Sequence, residues 1–417
     1  MARYPYNHYV VTSRIVGYQE TRLGPHFAQF KLLPFNENEI EQFIHQWYGS
    51  IACHTNQDQE QAVKNARELT ESIRKNDSVL KLASNPLLVT IIAMIHYKGR
   101  ELPDKRIELY EICTDTFLEH WVQSRIPGAG QLRQKENLIE VLAPIAFYIH
   151  EQKSGALIEK EEFREVFLSN FRKIHTNTSE TEALDTCEIF IRFLRDQSGF
   201  FYEKGVDEQG KSYFGFMHQT FEEYLSTIQL HTCQIRQSIR LQDYIFNPRW
   251  TEVIRLTAAL IRNSARGEAG RIQASRFIQE ILETEDPVPE ARRPLQLACL
   301  ILTDNVDITD ELYREIVKKT ETIFSTSSSQ ALMRTFGKLM PELIIHSPGR
   351  YLPCQIKSWL TSGTPEVIEN AGHILGESMH LPEIQQLMTE HVYPYPDRYR
   401  ELLWNKKSFL IFHWMYC

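Results

Sequence analysis

The sequence predicts a mainly α-helical chain that opens on a remnant of a parallel α/β sheet. Three observations carry that class. Apolar residues recur at helical spacing along most of the 417 positions, two short apolar runs near the start are β-like, and one pair of aromatic strands interrupts the helices midway. Hydrophobic residues make up 42% and charged residues 24%, too apolar for a disordered chain. Lysine and arginine total 46 against 54 acidic residues, and the net charge of −8 excludes whole-chain attraction to nucleic acid or anionic lipid. The longest nearly unbroken apolar run, Leu87 to Ile95, is about half the ~18–20 residues of a membrane-spanning helix. The opening MARYPYNHYVVTSR has no apolar core of a secretion signal.

Residues 1–35 read as the β-like part. Tyr9-Val10-Val11-Thr12 has the pattern of a strand buried on both faces, followed by Ser13-Arg14 and a loop at Gly17 and Gly24-Pro25. Phe27 to Leu33 suggests a second strand, closed by Pro34. One or two such strands cannot make a sheet alone, so this opening is expected to belong to a larger α/β domain whose earlier strands are absent.

Residues 36–130 read as a helical subdomain. Asn36 with Glu39 is a capping-box pair, and Ile40, Phe43, Ile44 and Trp47 form the apolar stripe behind it. Asn85-Pro86 starts a helix that is apolar nearly all round and stops at Gly99. Asp104 is the expected cap of the next helix, whose stripe includes Ile107, Tyr110, Thr114, Phe117 and Trp121. Pro127-Gly128-Ala129-Gly130 marks a boundary.

Residues 131–235 read as a winged-helix subdomain. Leu138, Leu142, Ile145, Ala146 and Ile149 make one apolar helix face, Phe163, Val166 and Phe167 a second helix, and Ala183 to Leu194 a third. Two aromatic strands, 200–203 and 212–217, flank a turn-rich Gly205–Gly210, and a helix from Gln219 to Leu230 follows at once. Residues 240–417 read as amphipathic helices in a HEAT-like array, with small residues Ala259, Ala298, Ala331 and Ala371 at spacings of ~39, ~33 and ~40. The closing Phe409–Cys417 is apolar and uncapped. The seven cysteines include no C-x₂₋₄-C clip, and their odd number argues against a disulfide framework, which points to a reducing cytoplasm.

Three of these features together resemble one family. Val10-Val11-Thr12-Ser13-Arg14, Leu82-Ala-Ser-Asn85-Pro86-Leu87-Leu88 and the run from Gly215 through His218 to Leu225 follow, in order, the C-terminal half of NACHT-type NTPases of the STAND signal-transducing class. Leu102-Pro103, Arg106, Leu109-Tyr110 and Trp121 are similar to that family as well, and the resemblance spans roughly residues 5–230. It implies that Arg14 is the sensor arginine approaching the γ-phosphate of ATP, that Pro86 packs against adenine, and that His218 reaches the β-phosphate of ADP. Taken alone, Arg14 reads first as a surface arginine and His218 as a structural histidine, while Pro86 reads equally as a first-turn helix proline. Glu222 and Glu223 are expected to face solvent or to be paired internally. The resemblance also implies nucleotide-driven oligomers, a trigger or protein partner taken by the C-terminal array, and roles in defence or signalling.

The sequence departs from that family where polyphosphate is gripped. No G-x-x-x-x-G-K-[ST] occurs, and no apolar strand ends in the acidic cluster that holds magnesium. Three lost charge-assisted hydrogen bonds, at about 1.5–3 kcal/mol each, turn micromolar binding into tens of millimolar or worse. ATP hydrolysis by this chain alone is not expected, and neither is a bound metal. H-E-x-x-H and G-x-S-x-G are absent too. Three functions remain to compare: a regulatory interaction module of a NACHT-type switch, an NTPase completed by a separate or upstream phosphate-loop segment, and a winged-helix nucleic-acid binder. Residues 131–230 carry eleven Lys/Arg against seventeen Asp/Glu, the wrong sign for the third.

Overall fold

The computed structural model describes residues 9, 11, 28, 30, 32–56, 58–75, 77–103, 105–123, 135–153, 155–196, 201–206, 210–326, 329–345, 347–348, 351–362, 364–365, 367–368, 371 and 378–394. The chain divides into two compact units, Met1–Arg100 and Glu101–Cys417.

The first unit is built from α1 (Glu37–Thr55), α2 (Gln59–Arg74), α3 (Asp77–Ala83) and α4 (Pro86–Tyr97). The Asn36–Glu39 capping box forms as the sequence requires, with bonds of 2.8 and 3.0 Å, and Ile40, Ile44, Tyr48 and Ala52 bury one face of α1. The stripe is turned slightly from expectation, because Tyr48 takes the core place and Trp47 is only half-buried. Asn85 Oδ1 accepts from the Leu87 and Leu88 amides, Pro86 takes the first helical position, and α4 packs centrally through Leu88, Val89, Ile91, Ile92, Ala93 and Ile95. Gly99, at φ +70°, ends it in a conformation that suits glycine.

The parallel-sheet remnant does not appear among the described residues. Tyr9, Val11, Ala28, Phe30 and Leu32 carry no strand, and Phe30 and Leu32 are more than nine-tenths exposed. A parallel strand is buried only when neighbours bond both its edges. The other residues of the two expected strands, Arg14 with them, lie outside the described residues, as do Asp104, Pro127–Gly130 and 409–417.

The second unit opens with α5 (Arg106–Gln123) and continues through α6 (Lys135–Gln152), β1 (Ile158–Glu159), α7 (Lys160–Ile174), α8 (Glu180–Asp196), β2 (Phe201–Val206), β3 (Ser212–Phe216) and α9 (Gln219–Ile235). The described residues form one antiparallel sheet in the order β1-β3-β2, with Ile158 opposite Phe214 and Phe201 opposite Phe216. Three helices with a short strand after the first and a hairpin after the third is winged-helix topology. Phe163, Phe167, Phe171, Phe190, Phe201 and Phe214 are all but fully buried and fill the space between the helices and the sheet. The sequence showed β2 and β3 but not β1, whose two residues are too few to carry a period.

Beyond α9 come α10 (Gln242–Ile245), a 3₁₀ turn at Pro248–Trp250, α11 (Thr251–Ser264), α12 (Gly267–Glu283), α13 (Arg293–Leu302), α14 (Asp310–Thr326), α15 (Gln330–Ile345), α16 (Tyr351–Ser362) and α17 (Pro382–Leu387). From α11 to α16 each helix packs on the next, and α11 and α13 also touch the helix two further on. Ala259, Ala298 and Ala371 are buried as the spacing suggests, whereas Ala331 is exposed and lies off that register.

Candidate functional site

The strand-to-helix step from β3 to α9 is the candidate site of the second unit. His218 has extended backbone, φ −143° and ψ 144°, and is the N-cap of α9. Its Nδ1 accepts from the Thr220 amide at 3.2 Å, with Thr220 Oγ1 at 2.9 Å from the same nitrogen. Because Nδ1 accepts, the neutral ring carries its proton on Nε2, and that N–H is a donor suited to an anion. The ring is exposed at the positive end of a 17-residue helix.

Behind this cap the helix is anchored by a buried polar group that the sequence did not reveal. Glu222, 1% exposed, meets His150 Nδ1 at 2.9 Å, and His150 Nε2 lies 3.0 Å from the Arg249 carbonyl. A carbonyl only accepts, so Nε2 donates to it. Nδ1 and the carboxyl then share one further proton, as imidazolium against carboxylate or as neutral ring against carboxylic acid. The expectation that Glu222 is internally paired holds, and Glu223 accepts from Gln219 Nε2 at 2.6 Å. The signal for His150 was its place, four residues after Ala146, on the apolar face of α6.

Edge contacts of the Trp250 indole with Phe147 (5.0 Å) and His150 (4.8 Å) seal the same junction. Two turns further along α9, Thr227 Oγ1 lies 3.3 Å from the Val253 carbonyl of α11.

Residues 106–230 match the family model of the winged helix-turn-helix domain C-terminal to NACHT. This stretch is a NACHT-associated winged-helix domain. It runs from the first residue of α5 into α9, so His150, His218 and Glu222 all lie within it. The searches of curated proteins and of solved structures return no match for the chain.

Of the three residues singled out in the sequence, Pro86 belongs to the first unit, where it is the exposed first residue of α4. His218 belongs to the NACHT-associated winged-helix domain, and Arg14 lies outside the described residues. No group of three metal-ligating side chains occurs among the described residues, nor does any described helix have the length and apolarity to cross a membrane. The six described cysteines are free thiols, and burial pushes Cys187 and Cys299 up to about 12, which makes them poor nucleophiles at neutral pH.

Proposed function

We propose that the chain is a regulatory and protein-interaction part of a NACHT-type signal-transducing NTPase. The observation that carries this reading is the winged-helix match at 106–230 together with the place of His218 as the exposed N-cap of α9. In this reading His218 faces the phosphates of a bound ATP or ADP. The grip on the polyphosphate comes from a phosphate-loop segment that these 417 residues do not contain. ATP supplies the driving force when that segment is present, and this chain by itself does not hydrolyse it. The helices from 240 onward act as a HEAT-like array that takes a protein partner or trigger; the packing of each helix on its successor supports that. A cytoplasmic setting fits the free thiols.

The test is ATP turnover by the chain mixed with a NACHT segment that carries a phosphate loop. A regulatory part leaves the turnover of that segment without an added catalytic contribution from Arg14. A rate gain that disappears in Arg14→Ala would instead make the chain the completing half of an NTPase.

A further inference from the structure

Glu222 stands one helical turn beyond His218 and faces two partners, His150 and Arg249, with one used oxygen. Its Oε1 lies 2.9 Å from His150 Nδ1 and 3.8 Å from the Arg249 guanidinium. Its Oε2 is buried and takes no hydrogen bond among the described residues. A buried carboxylate oxygen left dry is costly, and a guanidinium fork is the group that serves both oxygens of a carboxylate at once. Arg249 is 28% exposed at its side chain, so the fork has freedom at its solvent end. A movement of roughly 1 Å would bring it to hydrogen-bond distance of Oε1, the oxygen that already meets His150.

The backbone of Arg249 is fixed meanwhile, because its carbonyl accepts from His150 Nε2. Arg249 also sits inside the 3₁₀ turn that leads directly into α11. One carboxylate therefore touches the helix that His218 caps, the helix that carries His150, and the approach to the helical array.

We propose that Glu222 is a positioning residue with two alternative partners, His150 and the Arg249 guanidinium, and that the exchange between them sets the first turn of α9 on which His218 stands. Its functional meaning rests on the reading of His218 as a phosphate-facing residue; the exchange does not. A displacement at the start of the array reaches the cap through this carboxylate, because the second partner is part of the turn that leads there.

The experiment follows the Thr220 amide, which donates to His218 Nδ1, in the full ¹⁵N-labelled chain. Arg249→Met removes the fork and leaves the carbonyl contact in place. Its expected effect is a change of about threefold or more in Thr220 amide exchange, with a shift of the His218 ring nitrogens. In a Glu222→Gln background Arg249→Met is expected to change neither further. A Thr220 amide indifferent to Arg249→Met, or an equal response with Glu222→Gln present, would overturn the proposal. Arg249→Gln repeats the test with a polar side chain should the methionine variant fold poorly. Nucleotide titration judges the phosphate reading separately, and its outcome leaves the exchange result unchanged.

Discussion

Tyr48 and His96 show how burial biases a protonation state. The Tyr48 hydroxyl and His96 Nδ1 share a hydrogen bond of 2.6 Å, within a cluster that includes Trp47 and Tyr97. Burial raises the Tyr48 hydroxyl above its ordinary range, with Tyr97 and Glu68 adding to it, and burial lowers the His96 imidazole, partly offset by Glu68. His96 is thus held neutral in the fold and takes a proton more readily in the unfolded chain. Stability from this residue is present above the unfolded value of 6.5 and is lost as pH falls below it. His96→Gln keeps an acceptor for Tyr48 and removes the titration. Urea melts at pH 7.5 and 5 are expected to show wild type losing stability relative to the variant on acidification; equal losses would contradict the assignment. No local pattern marks this pair. The two residues lie 48 positions apart on different helices, and the apolar stripe read from the sequence runs through the neighbouring Trp47.

Helix ends were the most legible elements, because a cap is a local event: Asn36 with Glu39 and Asn85 with Pro86 are each decided within four residues. Strand β1 was not legible, since its two residues pair with β3 more than fifty positions away. Close approaches between elements were hidden for the same reason, and glycine exposes them. A Cβ on Gly270 of α12 would stand 2.3 Å from the Ala265 carbonyl and 2.4 Å from the Arg262 carbonyl, both backbone atoms. Gly49, inside α1, has nothing within 4 Å. Gly270→Ala is expected to destabilise by about 1–3 kcal/mol or more through overpacking. Gly49→Ala is expected to stabilise by roughly 0.5–1 kcal/mol through helix propensity. Thermal or urea denaturation of the two variants reads both signs, and a neutral Gly270→Ala would mean that the α11–α12 corner is looser than described.

Across the second unit, charge ties the winged-helix domain to the helices that follow it. Arg106, the first residue of α5, donates to Glu252 of α11 and, at 3.2 Å, to Asp304 after α13. Arg255 holds the same Asp304 through two bonds of 2.9 and 2.7 Å. Burial works against the Arg106 charge, but Glu252, Tyr110 and Asp304 outweigh it and keep the guanidinium ionised. A double-mutant cycle of Arg106→Met and Asp304→Asn is expected to give a coupling of about 0.5–3 kcal/mol, and additive losses would show the contact to be idle. No local pattern announces a contact across 198 residues. What the sequence did carry, through Gly215 to Leu225, was the helix start that His218 caps. If His218 faces a nucleotide phosphate as proposed, its contribution needs a phosphate loop beside it. Calorimetric titration of ADP tests it most directly, into this chain alone and into the chain joined behind a NACHT segment with that loop. The chain alone is expected to show no micromolar binding, and the joined protein to show binding that weakens at least about tenfold in His218→Ala. Micromolar binding by the chain alone, or a joined protein indifferent to His218→Ala, would contradict it.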